Sequence, residues 1–340
     1  MANDNKTGAE VSSFGASLKK AGKFASKYTT YITFIALLIL LAIMTNGQAL
    51  RWISIKNLII AEAVRSFAAL GVGMIIITKG IDLSIGYVVC LCASVAASFA
   101  QPADYAGALY VGKTFPIIVP IIAGILTGLI FGLLNGALVA YGKLPPFIAT
   151  LGSMSIAKGV QLIYTNASVV GSLKPAFKKI SQGYVGPIPN LAIYILVAAL
   201  LVWVLLKHTK TGTNFYAIGG NQQAARVSGI KVERSLMIAY GLAGICYGIA
   251  GTLQASRLGL ANSLTANGME LDAIAAVTVG GVSQNGGVGT VGGMMIGVFT
   301  MGLINYGMTY MAINSYYQQL VKGLIIILAV YFDMRKYSKR

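Results

Sequence analysis

Charge is scarce in this sequence. Only 10% of its 340 residues are Asp, Glu, Lys or Arg, against about 25% in soluble domains, too few to clothe a soluble fold of this size. Acids are the rarer sign, with 9 Asp and Glu facing 26 Lys and Arg. A single histidine, His208, leaves almost no Cys/His chemistry, and the three cysteines, Cys90, Cys92 and Cys246, all sit in apolar stretches. That excludes a disulfide framework and a metal site. It also leaves no nucleophile, base and orienter cluster for an integral membrane enzyme, so no catalytic or metal-ligating residue is assigned.

What fills the chain is apolar. At 56% hydrophobic, with roughly 20 residues per crossing, it supplies about nine to ten membrane helices and little else. The net charge of +17 alone would suggest nucleic acid as a partner, but basic residues in membrane proteins gather in cytoplasmic loops, and we read the excess as topology. Hydropathy places spans near 29–46, 58–78, 83–100, 115–141, 146–165, 188–206, 236–256, 270–284, 289–311 and 319–333. The organisation is a basic tail (1–28), a transmembrane domain (29–333) and a basic C-terminal tail (334–340). The tail does not read as a cleaved signal, because Phe34–Ile43 is followed by Met44-Thr45-Asn46 and not by small residues. Basic residues at both termini predict that both are cytoplasmic. The same count puts 207–235, with Lys207, Lys210, Arg226, Lys231 and Arg234, inside. It puts 166–187 outside despite Lys174, Lys178 and Lys179, and the Gly-rich 270–284 is short enough to be re-entrant.

Glycines are ordered: Gly124, Gly128, Gly132 and Gly136 form one helix stripe and Gly289, Gly293 and Gly297 another. Such stripes let backbones approach closely in lipid, which favours packing within the chain over a dimerisation face. Gly80–Gly86 and Gly286–Gly292 echo one another before two apolar helices, a weak internal repeat of the kind transporters carry. Two motif matches fail on context. Gly107–Thr114 fits a phosphate-binding loop but joins two spans and runs into Pro116 and Pro120. Gly287–Gly292 fits a dinucleotide fingerprint, yet no Asp or Glu lies between Asp272 and Asp333.

The functional candidates are few. Asn221 is placed to cap a short helix over Gln222–Ser228, closed by Gly229 in the left-handed conformation, with Ala224 and Ala225 on its surface to admit a partner. Among ionisable groups, Glu62 and Arg65 share a helix face; Asp82 and Ser84 are candidate caps of the third span, and Glu270 and Asp272 open the eighth segment. Asn135, Thr150, Ser153, Gln161 and Asn305 are candidates to line a path for a polar solute, or else to make interhelical hydrogen bonds.

Taken together, Gly80-Ile-Asp-Leu-Ser-Ile-Gly86, Pro146–Gly152, Gly219–Asn221 through Arg226–Ile230, and Glu270–Ala276 with Gly280-Gly281 resemble the permease subunits of bacterial ATP-binding-cassette sugar importers of the ribose, galactose and autoinducer type. The resemblance covers roughly 30–335; within it, Asn305–Tyr310 and Tyr316–Gly323 are most similar to the galactose and methyl-galactoside members. It departs at Lys79, where many members have Gly, and Ala224-Ala225 lacks the acid that precedes the paired alanines of other importer classes.

The resemblance implies an all-α polytopic fold of the vitamin-B12-importer-like (type II) kind, a homodimer, no enzymatic activity of its own, and no cofactor on this chain. ATP would bind a cytoplasmic ATPase subunit, with a periplasmic or lipid-anchored sugar-binding protein outside. Gly219, Gly220, Asn221, Ala224, Ala225, Arg226, Ser228 and Gly229 would couple to that ATPase, and loops near 101–114, 166–187 and 257–270 would receive the binding protein. Asp82, Ser84, Gly86, Glu270 and Asp272 would form helix-start motifs. The competing reading is an ion-coupled secondary transporter of a small polar solute, which would need a titratable or cation-coordinating group near mid-membrane, Glu62 being the best candidate.

Overall fold

The computed structural model describes residues 30–337; the basic tail expected over 1–28, and Lys339 and Arg340, lie outside the described residues. Among these, the chain folds as α1 (Thr30–Met44), α2 (Trp52–Ile77), α3 (Ile85–Phe99), α4 (Ile118–Ala140), α5 (Pro146–Thr165), α6 (Pro175–Gln182), α7 (Asn190–His208), α8 (Lys210–Gly220), α9 (Gln222–Val227), α10 (Val232–Leu258), α11 (Met269–Val279), α12 (Val291–Tyr310) and α13 (Ser315–Tyr337). The strands among the described residues form one hairpin, Tyr184–Val185 with Ile188–Pro189.

Each of the ten apolar segments read from sequence falls on a helix, but they are unequal. Seven, α2, α4, α5, α7, α10, α12 and α13, are long and apolar enough to cross a membrane. The 15 residues of α3 and the 11 of α11 extend only about 22 and 16 Å at 1.5 Å per residue, short of the ~30 Å hydrocarbon core. Non-helical backbone then makes up the depth, tolerable only against protein. Sequence reading of the loops passed over α6 and α8.

Burial sorts the helices. α3 and the inner parts of α2 and α10 are enclosed, and Tyr240, Tyr247, Leu70 and Ile75–Ile77 are wholly buried. α4, α5, α7 and α13 turn apolar side chains such as Ile130, Ile163, Leu201 and Ile327 outward. The glycine stripes act inside the chain. A Cβ at Gly128 would collide with the Gly244 carbonyl and one at Gly132 with that of Tyr240, so α4 lies backbone-to-backbone on α10. Gly293 and Gly297 do the same for α12 against Gly280 and Ala276.

The two echoing segments lie at the breaks ahead of α3 and α12, and the second meets the end of α2, where Gly287 N–H donates to Ile77 O at 2.8 Å. At the opposite end of the bundle three loops are sewn into one cap. Val170 and Ala261 exchange backbone bonds of 2.9 Å, Lys174 N–H donates to Ala100 O at 2.9 Å, and Gln101 Nε2 donates to Gly171 O at 2.9 Å.

Candidate functional site

The short helix α9 forms as its sequence dictates. Asn221 Oδ1 accepts from Ala224 N–H at 3.0 Å, the side-chain cap expected of Asn. Gly229 takes φ +86° and Ile230 N–H returns to Ala225 O at 3.1 Å, closing the C-terminus. The preceding α8 starts on Thr209, whose Oγ1 accepts from Gly212 N–H at 3.2 Å, and it buries Phe215 and Ile218. That Thr cap with apolar residues three apart was the signal for α8.

One expectation needs correcting. Ala225 is not on the surface of α9: it is 4% exposed and packs with Ala140, Ile218, Val232 and Leu236. Its small side chain seats the helix on this chain, while the outward residues are Gln223, Ala224 and Val227, the last 90% exposed. Arg226 is ion-paired to Glu233 at the start of α10. Beside them opens a cavity of about 540 Å³ whose lining includes Lys79, Lys143, Arg226, Glu233 and Tyr240.

The seat of α9 continues into the two breaks. Gly219, in the last turn of α8, approaches the Ile77 carbonyl and the Gly287 amide so closely that no Cβ fits. Tyr216 Oη donates to Gly289 O at 2.9 Å. In the first break Lys79 holds φ +66°, a left-handed backbone that only glycine adopts without strain. Asp82 is fully buried, and its Oδ1 accepts from Ser84 N–H at 2.8 Å and Ser84 Oγ at 2.6 Å. Ser84 holds the N-cap position without a capping side-chain bond, because its hydroxyl is spent on Asp82 and on Asn135 Nδ2, 2.9 Å away. Gly86 is bare because a Cβ there would run into the Glu270 carboxylate.

Glu270 and Asp272 do occupy the first turn of α11, and Asp272 reaches across helices. It pairs with Arg65 of α2 at 3.2 Å and with Lys322 of α13 at 3.3 Å, while Arg65 also pairs with Glu62. Sequence spacing exposed the Glu62–Arg65 pair; the other members lie too far along the chain to be seen.

The proposed polar path residues are mostly sealed. Asn135, Thr150, Ser153 and Gln161 are at most 1% exposed, with Thr150 Oγ1 bonded to Pro146 O at 2.8 Å and Gln161 Nε2 to Ser94 Oγ at 3.1 Å. Asn135 and Gln161 thereby fasten α4 and α5 to Ser84 and Ser94 of the α3 segment, while the Thr150 bond stays within α5. Asn305 is half-buried, and its Oδ1 has no hydrogen-bond partner among the described residues.

Residues 54–330 match a family described as "Branched-chain amino acid transport system / permease component". The chain belongs to this permease family. Its relatives include the galactose/methyl galactoside import permease protein MglC of Escherichia coli (strain K12), 41% identical over 317 residues, covering 90% of this chain and 94% of the relative. MglC of Haemophilus influenzae is 40% identical over 335 residues, 96% of this chain and 99% of the relative. The ribose import permease protein RbsC of Bacillus subtilis (strain 168) is 38% identical over 308 residues, 89% and 92% respectively. No solved structure matches the chain.

The permease geometry disposes of both rejected motifs. Gly107–Thr114 lies in turns of the loop cap. Gly287–Gly292 follows helix α11 and not a strand, and its Thr290 Oγ1 caps α12 by accepting from Gly293 N–H at 3.1 Å.

Proposed function

We propose that this permease is the membrane subunit of an ATP-driven importer of a monosaccharide, galactose or a methyl galactoside, and that it works as a homodimer with both termini cytoplasmic. The observation that carries the substrate is the 41% identity to a galactose/methyl galactoside permease along nearly the whole of both chains. The chain itself does no covalent chemistry and holds no cofactor; ATP is bound and hydrolysed by a separate cytoplasmic subunit with two cassettes.

That subunit docks on the outward face of α9, through Gln223, Ala224 and Val227, which stand clear of the chain while Ala225 holds the helix down. Closure of the cassettes around ATP pushes α9 against the breaks at Lys79–Ser84 and Gly280–Thr290, through the Gly219 contacts with Ile77, at the end of α2, and Gly287. The nucleotide shifts the access equilibrium because it binds the two states unequally. The soluble binding protein delivers sugar to the cap formed by 101–114, 166–187 and 257–270, where Lys174, Lys178 and Lys179 offer positive charge. Both carboxylates of the buried cluster are in ion pairs, Glu62 with Arg65 and Asp272 with Arg65 and Lys322. Neither is a free mid-membrane acid of the sort an ion-coupled transporter requires.

The test is reconstitution. Proteoliposomes holding the permease, its ATPase and its binding protein are expected to accumulate labelled galactose only with ATP inside. Uptake by the permease alone on an ion gradient would contradict the reading.

A further inference from the structure

The last helix is the least enclosed of the spanning set. No residue in the apolar window of α13 is buried, and Leu320, Leu324, Ile327 and Tyr331 are exposed. The opposite stripe, Lys322, Ile325, Ile326, Ala329 and Asp333, is half-buried, and α11 is the main neighbour of the helix. A polar side chain stands at each end of that stripe. Lys322 Nζ reaches Asp272 Oδ2, in the first turn of α11, at 3.3 Å. Asp333 Oδ2 accepts from Ser283 Oγ at 3.1 Å and from Gln284 N–H at 2.9 Å, a few residues past the end of α11.

The spacing of the two ties matches. Lys322 and Asp333 are about three turns apart on α13, roughly 16 Å, which puts them on one face, and their partners bracket α11, itself about 16 Å long. The earlier residue of α13 meets the earlier one of α11 and the later meets the later, so the two helices run in the same direction. Apolar packing in lipid lets one helix slide along another at little cost, whereas charge-assisted bonds at two levels fix the register. α13 is thereby a splint along a helix too short to cross the membrane alone.

The second tie falls on the break itself. Ser283–Gly287 is closed by Ser283 N–H to Val288 O and Gly286 N–H to Ser283 O, both 3.0 Å. On its other side stand Gly219 and Gly220 of α8, so near that a Cβ on Gly286 or Gly287 would strike their backbone. The break is gripped between α8 and Asp333.

We infer that α11, the break at Gly280–Thr290 and α13 move as one rigid unit, and that Asp333 is the positioning residue that passes displacement of α8 and α9 into α13 and, through Lys322, on to the Asp272–Arg65 cluster. The inference rests on the reading of α9 as the contact for the ATPase and supplies the output side of that contact.

The experiment uses the reconstituted transporter. Asp333→Ala is expected to co-purify with the ATPase and to hydrolyse ATP as wild type does, but to take up several-fold less galactose per ATP. Asp333→Asn, which keeps an acceptor oxygen, is expected to recover most of the loss, and Ser283→Ala to show a smaller loss of the same kind. Rigidity is read by pulsed dipolar spectroscopy between spin labels on Asn285→Cys and Leu320→Cys, both exposed positions, with labelled permease diluted in unlabelled so that each distance lies within one chain. Cys90, Cys92 and Cys246 are buried and form a quiet background. The distance is expected to be the same with and without trapped ATP in wild type and to shift with ATP in Asp333→Ala. A wild-type distance that changes with ATP overturns the rigid unit, whether or not Asp333→Ala folds. Unchanged galactose per ATP in Asp333→Ala, or loss of the ATPase from it, overturns the positioning role. A wild-type transporter that takes up no galactose with ATP would instead count against the importer reading.

Discussion

Single residues carry the local strain of this permease. Lys79 holds a left-handed backbone that costs a non-glycine residue about 1 kcal/mol. Lys79→Gly is therefore expected to raise the thermal midpoint in detergent slightly, the relief being partly offset by glycine's greater unfolded-state freedom; a marked fall would show that the lysine side chain contributes an interaction the geometry does not reveal. The opposite holds at Gly128, where an added Cβ meets backbone atoms of Gly244 and Gly248 that cannot swing away. Gly128→Ala is expected to cost about 1–3 kcal/mol, read as early loss of the monodisperse peak on heating. Stability unchanged from wild type would contradict backbone-to-backbone packing of α4 on α10.

At the scale of elements, sequence was a good guide to helices and a poor one to their facing. Asn221 and Gly229 bounded α9 because capping is local chemistry, readable from neighbours. Ala225 was misplaced because which side of a six-residue helix meets its own chain depends on Ala140, Ile218, Val232 and Leu236, brought together only by the fold. The polar residues of α5 show the same limit: their spacing marked a face, but not whether α3 or water covers it. The distinction is testable. Ala225→Glu buries a charge in an apolar seat and is expected to reduce the yield and thermal stability of the permease itself, whereas Val227→Glu is expected to leave both unchanged. Equal effects on stability would mean that α9 is not seated as described.

Across the whole molecule, ten apolar segments were legible from composition and hydropathy, as was the shortness of the α11 segment, but not that of α3. Those helices are short because breaks at Lys79–Ser84 and Gly280–Thr290 interrupt the crossings, and the breaks are held by contacts distant in sequence. The same is true of the ion cluster that ties α2, α11 and α13. Removing one charge from such a cluster strands its partner, at a cost of about 3–5 kcal/mol, while removing a pair together costs less. Arg65→Gln is therefore expected to destabilise the permease more than the double change Glu62→Gln, Arg65→Gln, which leaves Asp272 paired with Lys322. Additive losses, measured by thermal unfolding in detergent, would contradict a coupled network.

The claim that organises all of this is that α9 presents its outer face to an ATPase and transmits motion to the breaks. Co-purification of the ATPase with wild-type and Val227→Glu permease, followed by ATP-driven galactose uptake in proteoliposomes, tests it most directly. The account predicts that Val227→Glu yields a stable permease that loses the ATPase or hydrolyses ATP without uptake. Stoichiometric ATPase and undiminished uptake in that variant would contradict it.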